Sequence, residues 1–190
     1  MYGISEVISM KIGIMGGTFD PIHNGHLHLA RTALTQFDLD QIWFMPNGMP
    51  PHKKQSSIES DIHERIAMTR IAIKANKQFY LQEYEAKREK VSYSYKTMEH
   101  FRKIYPDDEF YFIIGADSLF SIETWKHPER LFKACIILAA CRDEAATKES
   151  LNGQIQMLKG KYGAYIKFLA MPLEHVSSHE IRKLIESGEP

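Results

Sequence analysis

The sequence predicts an α/β fold, a doubly wound parallel sheet with helices on both faces. Three observations lead there. Short β-leaning apolar runs alternate with stretches of helical period along the chain, and such alternation implies parallel strands covered on both sides. The first run is followed at once by Gly16-Gly17, where missing Cβ atoms let a backbone approach a ligand closely. The 190 residues, 44% hydrophobic and 25% charged, suit one domain able to bury a core unaided.

The elements follow in order. Lys11–Met15 reads as the first strand, and Gly16-Gly17-Thr18 as a glycine-rich turn. Helical spacing then runs from Gly25 to about Phe37, with Leu27, Ala30, Leu34 and Phe37 on one face. Gln41–Met45 reads as a buried strand ended by Pro46. The Pro/Gly/Ser-rich stretch 47–60 is a long loop, a kind that usually carries function or moves. A second helix is expected over Asp61–Ala75, its stripe formed by Ile62, Ile66, Thr69 and Ile73. Ser60 is the expected N-cap, and Asp61 suits the positive end of the helix dipole. Gln78–Gln82 reads as a strand, and the mixed-charge run Glu83–Lys90 as a solvated loop. Ser94–Ile104 is a third helix. Glu109–Ile114 is a strand entering Gly115-Ala116-Asp117. Pro128 opens a helix reaching about Lys133. Cys135–Ala140 is a buried strand, Leu151–Lys161 an amphipathic helix, Tyr165–Leu169 a strand, and Ser178–Glu186 a final helix. No repeat or linker interrupts the pattern. Residues 10–190 are therefore read as a single domain, with 1–9 as an N-terminal extension or remnant, because Met10 directly precedes the first apolar run.

Composition excludes several classes of function. The 24 Lys and Arg balance 24 Asp and Glu, so a polyanion-coating protein is disfavoured, although a few placed cations still suffice for small phosphorylated ligands. Cys135 and Cys141 match no disulfide framework or zinc spacing and read as reduced small hydrophobes of a cytoplasmic protein. No apolar stretch approaches the ~20 residues of a membrane span, and the first nine residues lack the basic region of a signal peptide. Neither nucleic acid nor membrane is an expected partner.

In a doubly wound sheet, ligands sit beyond the carboxyl ends of the strands. That rule selects the segments after Met15, Met45, Ile114, Ala140 and Leu169. The first is the most informative. His23 and His26 bracket a helix start, where unpaired N–H groups and a partial positive charge make an anion site. With Gly16 and Gly17 they form a phosphate cradle carrying two adjustable donors. It is neither the GxxxxGK[ST] loop nor GxGxxG, which weakens kinase-type and ordinary dinucleotide readings. No HExxH pattern or carboxylate triad completes a metal site with His23, His26 and His28, and His28 alone reads as a packed or surface residue.

Here the sequence resembles a known family. HNGH after a first strand is the HxGH signature of the nucleotidyltransferase superfamily, and Gly16–Leu27 (GGTFDPIHNGHL) is similar to bacterial nicotinate-mononucleotide adenylyltransferases. Further segments agree in order: Pro46–Lys53 (PNGMPPHK), Ser92–Thr97 (SYSYKT), Phe112–Asp117 (FIIGAD) with Trp125 following, and Val176–Arg182 (VSSHEIR). The likeness spans roughly residues 10–188. It implies a Rossmann-like sheet of the nucleotidyltransferase type, and transfer of AMP from ATP to nicotinate mononucleotide with Mg²⁺. It assigns His23, His26 and Arg182 to catalysis. It assigns Gly16, Gly17, Thr18, Phe19, Gly115, Asp117, Ser177 and Ser178, with those three, to ATP. Gly17, Thr18, His52, Lys53, Ser94 and Trp125 are assigned to the mononucleotide, Ser94 through its backbone N–H and Trp125 by stacking on the pyridine ring. Two departures stand out. His179 occupies a position where the family has Thr or Ser, and the chain stops at Pro190 where relatives carry a short further tail. Two alternatives remain: a related adenylyl- or cytidylyltransferase with another phosphorylated substrate, or a nucleotide-binding regulator without catalysis. Homo-oligomerisation is left open.

Overall fold

The computed structural model describes residues 9–48, 58, 60–88, 90–142, 145–171 and 178–187. Six strands form one parallel sheet: β1 (Lys11–Gly17), β2 (Gln41–Pro46), β3 (Phe79–Leu81), β4 (Glu109–Gly115), β5 (Ile136–Arg142) and β6 (Ile166–Met171). Their spatial order is β3-β2-β1-β4-β5-β6. The order reverses direction between β1 and β4, and that switch point opens the crevice in which such sheets bind ligands.

Among the described residues seven α-helices cover the sheet, with a 3₁₀ turn at Ile122–Thr124: α1 (Asn24–Gln36), α2 (Ile62–Ile73), α3 (Ser94–Ile104), α4 (Ala116–Ser121), α5 (Pro128–Ala134), α6 (Ala145–Tyr162) and α7 (Ser178–Ser187). Strand side chains alternate between the two faces, and both faces are buried. On one face Ile12, Ile14, Trp43, Met45, Phe110, Phe112 and Ile114 meet Met98, Phe101, Leu119 and Leu131 from α3–α5. On the other, Met15, Ile42, Phe44, Tyr111 and Ile113 meet Ala30 and Ala33 of α1 and Ile73 of α2. This double burial is why the strands read as continuous apolar runs.

Several expectations need correction. Gly16 and Gly17 are not a turn. They extend β1, paired with Met45 and Pro46 of β2. The fully buried side of α1 consists of the alanines Ala30 and Ala33, with Leu27, Leu34 and Phe37 only partly buried. Asp61, not Ser60, caps α2. Its carboxylate accepts from the Glu64 N–H at 2.9 Å, and Glu64 accepts from the Asp61 N–H at 2.9 Å, a reciprocal box that satisfies two orphan donors. The Ser60 N–H instead reaches the Asp20 carboxylate. Ile62 and Ile66 are only half-buried, and the buried side of α2 is Arg65, Thr69 and Ile73. The run Glu83–Lys90 is not simply solvated: Glu85 is 6% exposed. Cys135 and Cys141 are both buried and are not joined in a disulfide. Among the described residues, no helix is long and apolar enough to cross a membrane.

Candidate active site

The strand-end crevice holds a cavity of about 470 Å³. Gly16 and Gly17 line it at the end of β1, Thr18 just beyond, and Asn47 after β2. Ile114 and Gly115 close it at the end of β4, with Ser118 from α4. Ser94 and Tyr95 enter from the start of α3, and Trp125 and Lys126 from the turn before α5. Of the expected strand ends, those after Met15, Met45 and Ile114 build the cavity, and among the described residues none of its lining comes from β5 or β6.

His26 is the imidazole at the wall. His23 is the extended N-cap residue of α1, and His26 lies three positions into the helix. The His23 backbone N–H donates to His26 Nδ1 at 3.3 Å. A ring nitrogen that accepts cannot also carry the proton, so the neutral ring bears its hydrogen on Nε2 and is a donor there. The His26 ring sits edge-on to Phe19 with centroids 5.1 Å apart, and lies 3.9 Å from the His23 ring. Burial, then the neighbouring His23, lowers its pKa to about 3. It is therefore a neutral hydrogen-bond donor throughout the physiological range.

This shift has a consequence for stability. Between pH 6.5 and about 3 the unfolded chain takes up a proton at this position and the folded chain does not. Stability is therefore lost as pH falls through that window, by at most about 1.4 kcal/mol per pH unit for one proton. Thermal melts from pH 7 to pH 4 should show a shallower acid decline in His26→Gln than in the native chain. Equal slopes would contradict the assignment.

The other expected residues divide into three groups. Gly16, Gly17, Thr18, His26, Ser94, Gly115 and Trp125 meet at the cavity. His23, Phe19, Asp117, Ser178 and Arg182 do not line it. Asp117 is exposed in the first turn of α4, and His179 is exposed on α7. The Ser178 hydroxyl donates to the Pro21 carbonyl at 2.9 Å and the Arg182 guanidinium donates to the Asp20 carbonyl, so α7 docks on the chain between β1 and α1. The Phe19 side chain is core, 3% exposed, on a backbone with φ 51°, which leaves its main chain as the part expected near the nucleotide. Gly17 leaves the side chain room: a Cβ at position 17 would stand 2.8 Å from that ring. His52, Lys53 and Ser177 lie outside the described residues.

Sequence reasoning missed several wall groups. Glu85 lines the cavity, and its carboxylate accepts from the Thr97 hydroxyl at 2.7 Å. Burial pushes its pKa up, while that hydrogen bond and Arg88 pull it down. Ser92 is 7% exposed at the wall, and its hydroxyl has no hydrogen-bond partner among the described residues. Gly48 presses its backbone on the Glu85 carbonyl, which a Cβ would meet at 2.6 Å. Trp125 packs edge-on against Phe112, centroids 6.5 Å apart. The left-handed His127, φ 54° and ψ 59°, then turns the chain into Pro128 and α5. Only the SYSYKT resemblance pointed towards Ser92 and Thr97. No local pattern marked Glu85.

Comparison with known proteins agrees with this geometry. A cytidylyltransferase-like family model matches residues 14–184. A Clostridium kluyveri protein named "Probable nicotinate-nucleotide adenylyltransferase" is 41% identical over 182 residues, covering 95% of this chain and 89% of the relative. A Carboxydothermus hydrogenoformans protein of the same name is 43% identical over 180 residues, 95% and 88% covered. Among solved structures, Plasmodium falciparum nicotinic acid mononucleotide adenylyltransferase complexed with NaAD superposes with a TM-score of 0.74 at 20% identity, 95% of this chain and 86% of that one covered. The sheet order, the crevice between β1 and β4 and these matches together place the chain in the nicotinate-nucleotide adenylyltransferase family of cytidylyltransferase-like proteins.

Proposed function

We propose that the chain transfers the adenylyl group of ATP to nicotinate mononucleotide, releasing pyrophosphate and deamido-NAD. A phosphate oxygen of the mononucleotide attacks the α-phosphorus of ATP as the bond to pyrophosphate breaks. Such a transfer needs little covalent help from protein. It needs alignment and charge stabilisation at the phosphorus. The observation that carries the reading is the fixed Nε2–H donor of His26 beside the Gly16–Thr18 backbone in a crevice also lined by Ser94 and Trp125.

The roles we assign are these. His26 donates to an ATP phosphate oxygen as negative charge shifts there. Backbone of Gly16, Gly17 and Thr18 lies against the phosphates. Ser94, at the first turn of α3, offers its N–H to the nicotinate carboxylate, a favourable site at a helix N-terminus. Trp125 offers a flat face to the pyridine ring. His23 and Arg182 act from the rim, with Asp117 near the ribose and Ser178 beside Arg182. His52, Lys53 and Ser177 complete the anion contacts on the grounds of resemblance.

Mg²⁺ belongs to the proposal as part of MgATP. The cavity wall offers amides, hydroxyls, a neutral imidazole and one buried carboxyl, and the described residues include no group of three His, Cys, Asp or Glu able to hold a metal ion. That donor set does not build a protein cage for a hard cation, which is usually held by substrate phosphates, water and one or two carboxylates. No step here is routed through a protein-held ion. Two buried cysteines outside any disulfide suit a reducing, cytoplasmic setting.

Pyrophosphate release from ATP and nicotinate mononucleotide tests the function. Release with phosphopantetheine and not the mononucleotide would select the related-transferase reading. No release by folded protein with Mg²⁺ would select the regulator. Trp125→Ala should raise KM for the mononucleotide by up to about tenfold, on the scale of about 0.5–1.5 kcal/mol of aromatic stacking, with a smaller effect on kcat. An unchanged KM would return Trp125 to packing on Phe112.

A further inference from the structure

We propose that Arg65 is a positioning residue for this site, a buried clamp that sets the backbone after β1 against the backbone after β2; as a role in catalysis this rests on the adenylyl-transfer reading. Arg65 stands in the first turns of α2, 2% exposed. One terminal nitrogen, Nη1, donates to the Thr18 carbonyl at 2.7 Å and to the Asn47 carbonyl at 2.9 Å. Both acceptors belong to residues that line the cavity, yet Arg65 does not reach the cavity itself. They lie 47 and 18 positions away in sequence, on loops that follow neighbouring strands.

The peptide plane explains what the clamp does. In a trans peptide the C=O of one residue and the N–H of the next point in opposite directions within one rigid plane. Holding the Thr18 carbonyl towards Arg65 turns the Phe19 N–H away from it. Holding the Asn47 carbonyl does the same to the Gly48 N–H. Two amides on two loops are thus oriented by one side chain. The Asn47 N–H, which donates to the Gly17 carbonyl at 2.8 Å, adds a direct tie between the same loops.

One guanidinium nitrogen, Nη1, serves both carbonyls, while the buried Nε has no hydrogen-bond partner among the described residues. A guanidinium stays charged when buried and carries several donors in a fixed planar fork. Burial lowers its pKa, while Asp20 and Asp61 raise it. Asp61 is the cap that starts α2, and the Arg65 N–H donates to its carbonyl at 3.1 Å, so the capped turn aims the side chain. Asp20, 4% exposed, brings the compensating carboxylate from the loop after β1.

The test compares Arg65→Lys and Arg65→Met with the native chain. Three readouts are taken: thermal melting, amide hydrogen exchange of segments 15–20 and 45–48, and kcat and KM for pyrophosphate release. Lysine retains the charge on a compact ammonium whose three N–H donors lack the planar fork; methionine retains bulk alone. Both variants should stay folded at 25 °C with faster exchange in both segments. Lysine should lower kcat at least tenfold, and methionine further, with KM for ATP changed less than kcat. Native exchange rates in folded Arg65→Met would overturn the clamp. Native kcat in that variant with faster exchange would overturn its catalytic role. Should the native chain release no pyrophosphate, the adenylyl-transfer reading falls and exchange alone decides the clamp. If neither variant folds at 25 °C, Arg65 is a stability residue and the positioning proposal is overturned.

Discussion

His26→Ala should lower kcat for pyrophosphate release by about two to three orders of magnitude, the usual cost of removing one preorganised donor to a developing charge. The size follows from how the ring is held. Nδ1 is occupied by the His23 N–H, so the donor on Nε2 needs no tautomer change before it acts. The edge of Phe19 and the ring of His23 restrict its tilt. A donor fixed in advance stabilises charge that appears only as the reaction proceeds, so the loss falls on kcat more than on KM. Melting temperature should change by only a few degrees, because the ring is half-buried and uncharged. Steady-state kinetics beside a thermal melt decide the matter. A variant with native kcat would remove His26 from the mechanism.

Phe19→Ala is expected to have the largest effect on stability. The side chain is 3% exposed and packs on Phe44, centroids 6.0 Å apart, as well as on His26. Emptying a buried phenylalanine site costs about 3–5 kcal/mol, because partners are lost and the space refills incompletely. For a chain of this length, that lowers the melting temperature by roughly 6–20 °C. Alanine keeps a Cβ on a backbone at φ 51°, so no strain is relieved in compensation. Activity should fall beyond the folded fraction, because His26 loses the ring that steadies it. Calorimetry with kinetics at 15 °C checks both parts. A melt within 2 °C of the native protein would contradict the burial argument.

The sequence carried the repeating part of the fold well. Alternation of short apolar runs with helical stretches is a local signal, and the strands were found within a residue or two at most ends. The histidine pair and Gly16-Gly17 were visible because a cradle after a first strand leaves a compact pattern. Arg65 and Glu85 were not visible, and for one reason. Each is a charged residue in a polar-looking segment, and its burial is decided by partners distant in sequence: Thr18 and Asn47 for the first, Thr97 and Gly48 for the second. Charge runs on helices and loops usually face water, so a one-dimensional reading assigns these two outward. Ser60 lost the cap to Asp61 because Glu64 lies three residues after Asp61 and closes the reciprocal box. The assignment of α7 near the site came from resemblance. Its visible anchors, Ser178 and Arg182, grip the carbonyls of Pro21 and Asp20 instead of lining the cavity.

Gly48 gives one wall of the cavity an unusual kind of robustness. There the chain after β2 lies close to the chain after β3, and a Cβ at position 48 would stand 2.6 Å from the Glu85 carbonyl oxygen, too close for even a methyl group. The clearance at that seam is therefore set by main chain touching main chain. Exposed neighbours such as Lys87 and Arg88 can drift in identity without altering it. Any side chain at position 48 would act as a wedge and spread Asn47 from Glu85. The width of the binding slot is in this sense inherited from an atom that is missing.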